Sequence, residues 1–127
     1  MSEIRVTTVS DTAGTGPVTL TKQNAAKMYV NFSGSSVAVQ NTSLNVSSLD
    51  DDGTGQYGVN FTSAMSNATY TALVSHDNGN AGSTGRLGNF HTYSTTSADI
   101  DCFYVTSSTL TQDDPAQVVA LIQGDLA

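Results

Sequence analysis

Apolar and polar residues alternate along this chain in short runs, with polar turns between them. In residues 25–33, "AAKMYVNFS", Ala26, Met28, Val30 and Phe32 fall on one side, and Lys27, Tyr29 and Asn31 on the other. Alternation of period two marks a strand with one buried face. Further runs place Ile4 and Val6 together in 3–9, Val37 and Val39 in 36–40, and Leu44 and Val46 in 43–49. Tyr57, Val59 and Phe61 follow in 56–62, Tyr70, Ala72 and Val74 in 68–76, and Ile100, Cys102 and Tyr104 in 99–106. The runs are separated by "SGSS", "DDDGTG", "SAMSN", "DNGNAGSTG" and "STTS". Short strands at this spacing predict an all-β fold, an antiparallel β-sandwich of jelly-roll-like kind.

Two pieces break the pattern. Residues 115–123 follow Asp114, open on Pro115 and carry apolar residues up to Gly124, which fits a capped helix. "QVVALIQ" also starts β-branched and has the length of a strand, and the strand is the preferred reading. Residues 1–23 hold one alternating run and then "SDTAGTGPVTLTKQ", with few residues for a core. They are expected to form an N-terminal arm that docks outside its own domain through Ile4, Val6, Val18 and Leu20. Residues 24–127 would then form the sandwich.

Composition narrows the function. Four basic residues, Arg5, Lys22, Lys27 and Arg86, stand against eleven acids, for a net charge of −7. Such a chain cannot neutralise a phosphate backbone, so nucleic acid is not an expected partner. No run of apolar residues is long enough to cross a membrane as a helix, and "MSEIRVTTV" lacks the features of a signal peptide. Assembly in a cytoplasm is therefore expected. The sole cysteine, Cys102, has no internal disulfide partner and sits in an alternating run, so a buried structural thiol is expected.

No residue set predicts catalysis, a cofactor or a metal. Asp50, Asp51 and Asp52 stand before Gly-Thr-Gly, but they are adjacent, and the closing Glu of a calcium loop is missing. Strand runs flank them, so they read as a solvent-exposed hairpin turn. The chain has no Gly-x-Ser-x-Gly elbow, and its two histidines have no metal-ligand spacing. The longest polar stretch, 75–99, reads as a loop carrying His76, Arg86, Phe90, His91 and Tyr93. Long ordered loops often carry contacts, so these five are the candidate contact residues.

The order of motifs adds a further expectation. "AAKMYVNFSG" is followed by "SLNVSS", then "DDGTGQYGVNFT", then "AMSNATY". Residues 14–74 thereby resemble a family of small virion structural proteins of tailed bacteriophages, of tail-fibre-like type. Tyr29, after Met28, stands where that family usually has tryptophan. The closing "VVALIQGD" resembles the family's last strand, whereas 75–112 match nothing in its pattern. The resemblance implies a non-enzymatic β-module of the virion, homotrimeric, joined to other virion proteins of the tail or to the major capsid protein. A tail fibre or appendage that touches the host surface is the first expectation. A capsid decoration protein that stabilises the head is the second. A carbohydrate-binding module is the third, with Tyr93, His91 and nearby Asn residues as the platform for a host surface glycan.

Overall fold

The computed structural model describes residues 26–77 and 85–124. The candidate arm residues Ile4, Val6, Val18 and Leu20 lie outside them. The described residues form nine strands and no helix: β1 (Ala26–Ser33), β2 (Ala38–Leu44), β3 (Val46–Gly53), β4 (Gln56–Phe61), β5 (Thr71–Asp77), β6 (Gly85–Tyr93), β7 (Ser97–Thr106), β8 (Thr109–Gln112) and β9 (Gln117–Gln123). They make two antiparallel sheets, packed face to face as the alternation predicts. Sheet I runs β2-β1-β9-β5, and sheet II runs β3-β4-β7-β6. β8 pairs with the far half of β7, beyond the residues that pair with β4.

The inward residues explain the strands. Met28, Val30 and Phe32 of β1, with Val118, Ala120 and Ile122 of β9, are almost wholly buried from sheet I. Tyr57 and Val59 of β4, with Ala98, Ile100 and Cys102 of β7, meet them from sheet II. Phe32 and Tyr57 touch edge to face across the gap, with ring centroids 5.2 Å apart. Each large side chain buried in this way contributes about 1.5–3 kcal/mol. Residues 117–123 form a strand because Val118, Ala120 and Ile122 share the buried face at period two.

Four sequence expectations need correction. The described residues of 75–99 are not one loop, because the first three end β5 and β6 runs through Gly85–Tyr93 and turns tightly into β7. Its inward positions carry Arg86, Gly88 and Phe90, so no apolar alternation marks it. Asp50, Asp51 and Asp52 are exposed residues of β3, and the turn itself is Thr54 and Gly55. Leu44 and Val46 do not share one strand: Asn45, at φ 59°, carries the chain from sheet I to sheet II. Its side chain fixes that corner, donating to the Ser63 carbonyl and accepting from the Ser63 N–H at 2.6 Å. Val37, at φ 48°, lies in the turn before β2, not in a strand beginning at residue 36.

Candidate functional site

β6 does not bring the five candidate contact residues together. Phe90 is a core residue. Tyr93 is 41% exposed and lies against Tyr70 and Phe90, with ring centroids 5.4 and 6.2 Å away. His91 faces outward on sheet II, 3.6 Å from Asp101. Arg86 pairs with Asp113 at 2.6 Å and lies over the Tyr104 ring. His76 points inward from β5 and is buried.

His76 is unusual among these. Both its ring nitrogens are shut off from solvent without a hydrogen-bond partner. The ring fits beside β6 because Gly88 has no side chain; a Cβ there would lie 3.2 Å from His76 Cδ2 and 3.0 Å from Val74 Cγ1. An unmade hydrogen bond on a buried polar group costs about 1–3 kcal/mol. No group of His, Cys, Asp or Glu suited to a metal ion occurs among the described residues.

One end of the sandwich is held by a polar lock. Asp114 Oδ1 accepts from the Gly55 N–H at 2.7 Å and from the Tyr57 hydroxyl at 3.1 Å. Gly55, at φ +69°, leaves no room for a side chain, since a Cβ would sit 2.5 Å from the Cys102 carbonyl oxygen. The Cys102 N–H donates to the Gly55 carbonyl, and its carbonyl accepts from the Asp113 N–H. Burial pushes the Tyr57 phenol far above its usual range, and the bond to Asp114 adds to the effect. Burial likewise pushes the Cys102 thiol up to about 12, with the charges of Asp101, Asp113 and Asp114 adding to it. A neutral thiol is a weak nucleophile, so Cys102 is a packing residue.

The opposite end is closed by residues between strands. Tyr70 donates to the Ser94 and Ser97 carbonyls, 3.1 Å each, and pins the β6–β7 turn. Burial raises the Tyr70 phenol as well. Met65 is buried, and its N–H donates to the Thr95 carbonyl. Beside them, Ala26, Lys27, Leu44, Asn45, Thr62 and Ser63 line a shallow cleft of 470 Å³.

The outer faces carry the exposed chemistry. On sheet II, Gly58 of β4 stands opposite Asp50 on one neighbouring strand and Asp99 on the other. Asp50 and Asp52 lean over the glycine, where a Cβ would meet their oxygens at 3.3 and 3.4 Å. Asp101 extends the patch, held by Gln56 Nε2 at 3.4 Å, and Asn60 donates to Asp50 at 2.6 Å. Carboxylates along the open edge strand β3 also discourage pairing with another sheet.

On sheet I the outer face is different. Leu44, Tyr29, Leu121 and Leu73 stand directly opposite one another across β2, β1, β9 and β5. Val119 follows in the next row, between Asn31 and Ser75. Leu73 is 65% exposed, Val119 44% and Leu44 43%. Residue spacing alone did not reveal this row, because strand register assembles it from four separate runs. The apolar outward positions of "QVVALIQ", Val119 and Leu121, were its one local sign. No known protein family, curated protein or solved structure matches the chain.

Proposed function

We propose that this chain is a non-enzymatic structural component of a bacteriophage virion, a tail-fibre-like or tail-appendage module. In this reading it works as a homotrimer joined to other virion proteins, and can touch the host surface through an outer tip. One observation supports the reading above others. Among the described residues, five that fall in the motifs of the phage-protein resemblance have an architectural task in the sandwich. Asn45 turns the chain between sheets, Gly55 and Tyr57 engage Asp114, and Met65 and Tyr70 close the far end. A motif whose positions hold up a fold fits a particle component better than a reaction centre.

The surface is consistent with that task. Ion pairs are few among the described residues, so little of the stability would rest on contacts that salt screens. Quantitative mass spectrometry of purified virions encoded with this gene tests the proposal. A tail module should appear in a few tens of copies or fewer per particle. Hundreds of copies would move it to the head as a decoration protein, and absence from particles would overturn the reading.

A further inference from the structure

We infer that the outer face of sheet I is where copies of this chain meet. Scattered exposed leucines are ordinary on a protein surface. Leu44, Tyr29, Leu121 and Leu73 are not scattered, because they form one in-register row from edge to edge of the sheet. Val119 widens it, and polar Asn31 and Ser75 flank that residue. An apolar centre with a polar border is the anatomy of a protein–protein contact.

Charge identifies the occupant as a second copy. The chain carries −7, so identical chains repel unless they approach by a face with few acids. On sheet II, Asp50, Asp52, Asp99 and Asp101 face outward. On the strands of sheet I the only described acid is Asp77, at the very end of β5, and Lys27 lies on the outward side of β1. Among the described residues, the apolar row is thus the broad face on which copies can approach with the least repulsion. Sheets stack face to face about 10 Å apart, which lets such rows interleave. Three such faces turned toward a common axis would form the homotrimer proposed above, and this inference rests on that part of the reading.

A rival surface exists at one corner of sheet II. There Leu87 stands opposite Phe103, and Val105 opposite Leu110. Asp101 lies two residues from Phe103 on the same side of β7, so this corner meets a second copy less favourably.

Native mass spectrometry at micromolar protein tests the inference on the wild-type chain, Leu73→Asp and Leu110→Asp. Both leucines are at least half exposed, and thermal melts confirm that each variant still folds. The wild type should be an oligomer, Leu73→Asp a monomer, and Leu110→Asp an oligomer like the wild type. A monomeric wild type would overturn the inference. So would an oligomer that survives Leu73→Asp, or one that Leu110→Asp also dissociates. The virion proposal is read separately, through copy number in particles.

Discussion

The two outer faces of this sandwich rest on one interior and yet differ in chemistry. Sheet I turns Leu44, Tyr29, Leu121 and Leu73 outward in a single row, whereas sheet II turns Asp50, Asp52, Asp99 and Asp101 outward around Gly58. Inward positions are constrained alike on both sheets, because each must fill the same gap. Outward positions are free of that constraint, so their difference reflects what each face meets. An apolar row gains free energy when covered, and a carboxylate patch keeps its free energy only in water.

The strongest perturbation acts on the interior that both faces share. Gly34 lies where a Cβ would come 2.4 Å from the Tyr57 hydroxyl and 2.7 Å from the Pro115 carbonyl oxygen. Gly34→Ala should cost about 3 kcal/mol, the upper range for overpacking, seen as an earlier urea midpoint. Both faces should be lost together, since neither survives unfolding. A midpoint unchanged from wild type would mean the lock at this end can yield.

Alkaline pH acts next, again from within. The Tyr57 and Cys102 values are raised in the folded state, so the unfolded chain releases protons first as pH rises. Their contribution is fully present below the ordinary thiol value of 9.0 and falls as pH rises toward 12. Each fully titrating group should lower stability by about 1.4 kcal/mol per pH unit in that window. Denaturant curves taken across it should shift steadily downward, and a flat profile would contradict the burial argument.

A smaller gain is expected at His76. Replacing its unpartnered ring by leucine removes two buried nitrogens that bond to nothing. His76→Leu should raise stability by about 1 kcal/mol in the same denaturant assay. A loss of that size would mean that the packing of the ring against Gly88 outweighs the missing hydrogen bonds.

The smallest effect belongs to the acidic face alone. Asp50→Asn and Asp99→Asn each relieve repulsion across Gly58 and should add about 0.5 kcal/mol at low salt. The gain should vanish near about 0.5 M salt, where charges are screened within a few ångströms. Thermal melts at the two salt levels would show this. A gain that persists in high salt would point to packing in place of charge.

Some of this was legible in the residues and some was not. β1, β4 and β7 announce themselves because Met28, Val30, Phe32, Val59 and Ile100 sit at period two in runs of their own, whereas the residues of β9 also fit a capped helix. β6 is hidden because its inward side carries Arg86 and Gly88, the one paired with Asp113 and the other opened for His76. The three adjacent aspartates suggest a turn by composition, although the turn needs only Thr54 and Gly55. The apolar row was out of reach because Leu44, Tyr29, Leu121 and Leu73 are distant in the chain. Only the register of three ladders places them side by side.

The covered-face account is tested most directly by thiol labelling. Cys102 is fully buried, so the wild-type chain should react negligibly. Ser75→Cys places a thiol beside the apolar row, and Asp52→Cys places one on the acidic face. At micromolar protein the Ser75→Cys thiol should label roughly tenfold more slowly than the Asp52→Cys thiol, and dilution should close the gap as copies separate. Equal rates for the two thiols at every concentration would contradict the account.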